Sequence, residues 1–181
     1  MDVSRLVKRA KRGNKDALVL LVMVEKDAYY RLALTYTGNQ HDALEAMDEM
    51  IVKVYENINQ LKINEAFFSW SKTILVNACK AIVRKRKRLV LADDVVTVSG
   101  VEENQLSTKD DYERSEQLMV IEKLLEYIND QQKEAIQLKY FHDLDYQTIA
   151  EMTNVSVGTV KSRVFNGLRK LREHYGGEEI E

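Results

Sequence analysis

Proline is absent from this 181-residue chain, and glycine occurs only seven times. The chain therefore lacks the commonest rigid helix breaker and has few positions that accept a left-handed turn at no cost. Its apolar residues recur every three or four positions and do not alternate. Ala43, Met47, Met50, Ile51, Val54, Tyr55 and Ile58 form one such series, and Phe67, Trp70, Ile74, Leu75, Ala78 and Ile82 form another. That period belongs to amphipathic helices, so the expected fold is all-α.

The length suits one medium domain or two small ones, and the pattern favours two. Residues 1–89 form a first helical block, 90–111 an acidic linker, 112–175 a second helical block and 176–181 an acidic tail. In the first block, the stretch from Ser4 to Leu34 reads as one or two helices punctuated by Gly13 and Asn14. A further helix starts at Asp42, with Asp42 as its cap and Glu45 as a capping-box partner. Asp48, Glu49 and Lys53 lie off its apolar stripe. A last helix runs from Glu65 to Arg88 and ends in cations, which suit a helix C-terminus.

From Leu89 to Asp111 the period is lost amid acids, Gly100, Ser99, Ser107 and Thr108. The reading is a flexible, loosely held linker; the alternative is an extended segment lying on one domain. Over 93–116, eight acids face only Lys109 and Arg114, which makes the tether self-repelling and attracted to basic surfaces. The second block holds four short helices. The first carries Leu118, Ile121, Leu124, Leu125 and Ile128, and the second Ala135, Ile136 and Leu138, ending near His142 and Asp143. The third starts at Asp145, and the fourth starts at Ser156 with Val160, Val164, Leu168 and Leu171 along one side. Helices this short must pack together to be stable.

Formal net charge is only −2, yet the cations are clustered. Arg5, Lys8, Arg9, Lys11 and Arg12 form one group, and Lys80 with Arg84 to Arg88 a second. Lys161, Arg163, Arg169, Lys170 and Arg172 form a third, with no acid among them. A polyanion responds to these local fields and not to the sum. Solvated helix faces are the plain alternative. The lone Cys79 excludes an internal disulfide and suits a reducing compartment. The longest apolar run, Ala17 to Val24, has eight residues, against about 20 for a membrane span. No cleavage-site pattern follows the basic N-terminus, so neither a signal peptide nor a membrane protein is expected, and a cytoplasmic location is expected. No metalloprotease pair, glycine-rich phosphate loop or paired-cysteine metal site occurs. His41, His142 and His174 are dispersed. Neither an enzyme, a cofactor nor a metal is expected.

The most informative stretch runs from Asp145 to Arg172. It reads helix, short turn, helix. Ala150 lets the helices approach, Val155 fills the angle, Ser156 caps the second helix, and Val160 and Val164 face the first. Thr159, Lys161, Ser162, Arg163 and Asn166 then point outward, a set suited to base edges in a major groove, while Arg169, Lys170 and Arg172 suit phosphate. An ordinary helical hairpin is the bland alternative. In the first block, Trp70, Asn77, Lys80, Arg84 and Lys85 share a helix, preceded by Asn57 and Lys62. Aromatic, amide and basic groups together can hold unstacked bases; equally, Trp70 can be core.

On these motifs the chain resembles the small, two-domain extracytoplasmic-function group of bacterial RNA polymerase sigma factors. Three segments carry the likeness: 42–55, the aromatic-to-basic helix from Phe67 to Arg88, and Leu138-Lys-Tyr-Phe-His-Asp-Leu-Asp-Tyr-Gln-Thr-Ile-Ala150 with Ser156-Val-Gly-Thr-Val-Lys-Ser-Arg163. The resemblance implies that Asp42, Asp48, Glu49 and Lys53 bind the clamp helices of the polymerase largest subunit. It implies that Asn57, Lys62, Trp70, Asn77, Lys80, Arg84 and Lys85 hold the proximal promoter element. Thr159, Lys161, Ser162, Arg163, Asn166, Arg169 and Lys170 would contact the distal element as duplex. It further implies an inhibiting anti-sigma protein, often membrane-anchored. Family members often carry Trp-Leu-Tyr-x-Ile-Ala where this chain has Trp70-Ser-Lys-Thr-Ile-Leu75. The rival reading is a helix-turn-helix regulator that binds its operator without polymerase.

Overall fold

A computed structural model describes residues 1–92 and 123–175. Among them every regular element is helical. The chain divides into two compact units, Met1–Glu102 and Glu103–Glu181.

In the first unit, Asp2 caps α1 (Val3–Lys11) by accepting from the Arg5 amide. Gly13 turns the chain at φ +87°, and Asn14 caps α2 (Lys15–Val24). Then α3 (Lys26–Thr37) follows directly, so three helices stand where one or two were expected. The additional break falls at Glu25, which carries no local signal. At this break the Glu25 carboxylate lies 2.6 Å from Lys72 Nζ on a distant helix, an ionic contact without well-angled hydrogen bonding.

Left-handed Gly38 ends α3, and Asn39 caps α4 (Gln40–Asn57), accepting from the Asp42 amide at 2.9 Å. Asp42, the expected cap, stands instead in the first turn. Two short 3-10 turns, Ile58–Gln60 and Asn64–Ala66, lead into α5 (Phe67–Ala92). Lys11 fastens α1 to this connection, donating to Leu61 O at 2.6 Å and Asn64 Oδ1 at 2.9 Å. α5 outruns its expected end at Arg88, because Leu89, Leu91 and Ala92 favour helix and the acids begin only at Asp93. The rest of the expected linker lies outside the described residues.

Helices α3, α4 and α5 pack on one another, and α1 packs on α2. Tyr29, Leu32, Met50, Val54, Phe67 and Leu75 fill the core. The departure at Ser71 and Lys72 is explained here. Ser71 Oγ pairs with the buried Tyr29 hydroxyl at 2.7 Å, and Lys72 meets Glu25, so polar pairs replace two larger side chains. Cys79 is fully buried, and burial pushes its thiol up to about 12. That environment suits an inert core residue.

In the second unit, the first expected helix lies largely outside the described residues, though 123–125 are helical. Asn129 and Gln132 form a capping box on α6 (Asp130–Ile136), which widens into a π-turn at Gln137–Phe141. Asp145 caps α7 (Tyr146–Thr153), accepting from the Thr148 amide at 2.9 Å and its hydroxyl at 2.7 Å. Left-handed Asn154 ends α7, and α8 (Val157–Tyr175) follows. Ser156 Oγ accepts from the Thr159 amide at 3.1 Å, as expected of a cap. Val160 and Val164 are buried, whereas Val155, the expected plug, is only half-buried. Buried Ile149, Ala150 and Met152 occupy the inner side of α7 instead.

Gly167 sets how closely α8 approaches α6. A Cβ there would stand 2.7 Å from Ile136 Cδ1 and 3.2 Å from Gln132 Cβ. Gly167→Ala gains about 1 kcal/mol of helix propensity but overpacks this contact by about 1–3 kcal/mol. Urea unfolding is expected to show net destabilisation, larger for Gly167→Val. Asp145→Ala is expected to cost about 1 kcal/mol at neutral pH. Hydrogen bonds, led by the Thr148 amide, hold the Asp145 carboxyl below its ordinary value. Its stabilisation is therefore present above the unfolded-state pKa and lost as pH falls through the folded one. Unfolding curves of wild type and variant should converge in acid; a constant gap down to low pH would contradict this.

Candidate nucleic-acid and partner interfaces

The helix-turn-helix of the second unit presents α8. At about 100° per residue, Thr159, Ser162, Asn166 and Arg169 fall on its outer side, opposite Val160, Val164 and Gly167. Thr159, Ser162, Arg169 and Lys170 are exposed, while Asn166 is half-buried. Lys161 and Arg163 flank this strip on opposite edges. The Lys161 ammonium lies 5.7 Å from the Tyr146 ring centroid on α7, and Arg163 Nη2 donates to Gln131 Oε1 on α6 at 3.0 Å. Arg163 is thus half-buried and oriented by a neighbour, not simply outward. Thr159 Oγ1 lies 2.8 Å from Ser156 Oγ, so its hydroxyl belongs partly to the cap. Arg169 reaches Glu173 only at 3.9 Å, an exposed pair of little energetic weight.

Phe165 escaped the sequence reading. It is 68% exposed on the same strip, between Ser162 and Arg169. An apolar ring there suits a thymine methyl among hydrogen-bonding neighbours. The available signal was its position: it lies one residue beyond Val164, which places it about 100° out of the core.

On α5, Trp70, Asn77, Lys80 and Arg84 fall on one side, and Lys85 lies about 100° further round. Asn77, Arg84 and Lys85 are exposed. Trp70 is half-buried, its ring 6.3 Å from that of Phe67, so it is anchored by the core and open on one edge. The Lys80 ammonium sits 5.4 Å from the Tyr36 ring centroid. Lys62 is exposed between the two 3-10 turns. Asn57 is engaged at both ends of its amide, donating to Lys53 O at 2.8 Å and accepting from Gln60 at 2.7 Å.

The outer side of α4 differs from the expectation. Ala43, Met47, Met50 and Val54 are buried, but Ile51 and Tyr55, read as part of the same stripe, are 37% and 50% exposed. With exposed Leu44 and Asp48 they form a second stripe on the solvent side. Glu49 and Lys53 lie on another flank, paired to each other at 2.6 Å. Asp42 is turned inward to Arg86, 2.6 Å away. His41, Asp42 and Glu45 each place a ligand atom within 4.8 Å of the others. The Arg86 contact and the positive end of α4 oppose a dication there.

No helix among the described residues is long and apolar enough to cross a membrane. Residues 21–89 match the sequence model of Sigma-70 region 2, and 118–171 that of Sigma-70 region 4. The RNA polymerase sigma-H factor of Pseudomonas aeruginosa is 30% identical over 170 residues, covering 89% of this chain and 87% of that protein. The ECF RNA polymerase sigma factor SigW of Bacillus subtilis is 28% identical over 180 residues, covering 96% of each. CnrH, solved with the cytosolic domain of CnrY, shares the fold with TM-score 0.67, 16% identity and coverage of 98% and 99%. The sigma factor RpoE of Bartonella quintana, solved with the anti-sigma factor NepR, does so with TM-score 0.64, 22% identity and coverage of 85% and 93%. A chain that matches both regions, and aligns with such relatives almost end to end, belongs to the extracytoplasmic-function group of sigma-70 RNA polymerase sigma factors and directs transcription initiation.

Proposed function

We propose that this sigma factor divides initiation among three surfaces. The α8 strip reads the distal promoter element in duplex form. The outer side of α5, from Trp70 to Lys85 with Lys62 before it, holds the proximal element as it opens. The solvent side of α4 grips the clamp helices of core polymerase. The observation that carries this reading is the outward strip of α8, where base-reading, apolar and phosphate-binding residues stand together on a capped helix-turn-helix. The protein acts in the cytoplasm as a regulatory, non-catalytic subunit. An anti-sigma protein, often membrane-anchored in this group, is its expected inhibitor; RpoE of Bartonella quintana was solved with one.

The geometry supports a narrower choice among the residues assigned by resemblance. On α4 the contact centres on Asp48 with Leu44, Ile51 and Tyr55, while Glu49 and Lys53 satisfy each other at its side. On α8, Phe165 joins the reading set, and Arg163 reads bases from an orientation held by Gln131.

Reconstitution with core polymerase on genomic promoter fragments, followed by transcript-start mapping, tests the whole. Tight promoter binding without core would favour the independent regulator. Ile51→Glu is expected to weaken core binding about 30-fold, the equivalent of about 2 kcal/mol of lost apolar burial. Lys53→Ala should cost under about 1 kcal/mol. Pull-down titration with circular dichroism as a folding check decides, and equal losses from both would move the contact off the apolar stripe.

On the distal element, Arg163→Ala is expected to cost about 1–3 kcal/mol on the matched promoter and much less on base-substituted ones. Lys170→Ala should weaken all sequences alike and reduce the salt slope by about one. Titrations at fixed and varied salt separate the two, and a sequence-uniform loss for Arg163→Ala would leave it a phosphate contact.

A further inference from the structure

The basic end of α5 carries Lys80, Arg84, Lys85, Arg86, Lys87 and Arg88, and Arg86 is placed unlike Lys80, Arg84 and Lys85, the three named for DNA. It follows Ile82 by four residues, Cys79 by seven and Leu75 by eleven, all of them buried. It therefore prolongs the inward stripe of the helix, while Arg84 and Arg88, two residues to either side, project about 200° away. Its side chain is 46% exposed, but its guanidinium is engaged by the unit itself. Nη1 lies 2.6 Å from Asp42 Oδ2, and Nη2 donates to Thr37 O at 3.2 Å. Asp42 also accepts from Asn39 Nδ2 at 2.9 Å, and its side chain is only 13% exposed.

Thr37 O belongs to the last turn of α3, where carbonyls lack helical partners. Asp42 belongs to the first turn of α4. One planar fork thus joins the end of α3, the start of α4 and the basic end of α5. Arginine holds the two acceptors in one rigid planar fork, a geometry that the single nitrogen of a lysine at this place would not reproduce.

We propose that Arg86 is a positioning residue, not a phosphate contact: it latches α5 to the α3–α4 corner, so that Arg84 and its neighbours meet the promoter strand in fixed register with the polymerase-binding helix. This deepens, and rests on, the reading of α5 as the proximal-element surface. It also gives Asp42 an internal role in place of the polymerase contact implied by resemblance.

The test uses the full chain bound to core polymerase and titrated with fork-junction promoter DNA over a range of salt. Wild type is compared with Arg84→Ala, Arg86→Ala, Asp42→Asn and the double variant Asp42→Asn/Arg86→Ala. Arg84→Ala should lower the salt slope by about one, as loss of a phosphate contact does. Arg86→Ala should leave the slope unchanged and weaken binding about tenfold, the scale of coupling between contacting charged groups. Asp42→Asn provides the sharper contrast. Removing an acid beside a DNA-binding surface should strengthen binding if only charge matters, whereas a broken latch weakens it. The double variant should then be no worse than Arg86→Ala alone. Asp42→Asn is isosteric, so it keeps the test alive should Arg86→Ala fail to fold. A lowered slope in Arg86→Ala together with tighter binding by Asp42→Asn would overturn the latch, as would unchanged binding in both. If Arg84→Ala is also silent and wild type adds no affinity for the fork over core alone, the α5 reading itself fails and the latch falls with it.

Discussion

In a chain without proline, most helix boundaries fall where a side chain or a left-handed residue satisfies the end backbone groups. Asp2, Asn14, Asn39, Asn129, Asp145 and Ser156 accept from the exposed amides at helix starts. Gly38 and Asn154, both at positive φ, close α3 and α7. Each cap contributes about 1 kcal/mol, a small sum beside the burial of the cores. Their larger consequence is angular. The pair Asn154 and Ser156 fixes the turn between α7 and α8, and thereby which residues of α8 face outward. Gly38 and Asn39 fix the α3–α4 corner that receives Arg86.

That geometry also sorts the charge. A cation tied at close range to a largely covered acid or carbonyl within the unit is less available to a polyanion, whatever its place in the sequence. Lys11 is spent on the connection before α5, Lys72 on Glu25 and Arg86 on Asp42. Exposed Arg84, Lys85, Arg169 and Lys170 remain to present positive potential. The formal charge of −2 is therefore a poor guide to binding. The local field at each surface depends on which cations the fold consumes.

The same distinction marks how far the sequence could be read. The all-α class and the caps at Asp145 and Ser156 were legible because each depends on residues a few positions apart. The core of α8 was legible too, since Val160 and Val164 repeat at helical spacing. Gly167 carried no signal, because its role is set by Ile136 and Gln132 on another helix. Asp42 is not the cap because Asn39, an equally good capping residue, stands three residues earlier, just after the left-handed glycine that ends α3. Ile51 and Tyr55 were assigned to the core of α4 for a different reason. Apolar spacings of three and four on an 18-residue helix fit two stripes, and periodicity alone does not say which one is covered. Among the candidate site residues, position on a helix side was readable; orientation by a neighbour, as for Arg163 by Gln131, was not.

Magnitudes decide what the second stripe on α4 is worth. Leu44, Ile51 and Tyr55 leave apolar surface in water, and full burial of one such side chain stabilises by about 1.5–3 kcal/mol. An exposed pair such as Glu49 with Lys53 contributes about 0–1 kcal/mol and is weakened further by salt. On the proposed reading of α4, affinity for the polymerase therefore comes from the apolar stripe. Asp48, set between Leu44 and Ile51, supplies register, because a wrongly placed partner would bury its charge unpaired. Holding this stripe outward requires that the opposite side of α4 be fully committed. Ala43, Met47, Met50 and Val54 meet that need by packing against α3 and α5. The helix is thus apolar on two sides, one closed by its own chain and the other exposed, where the proposed polymerase contact would cover it.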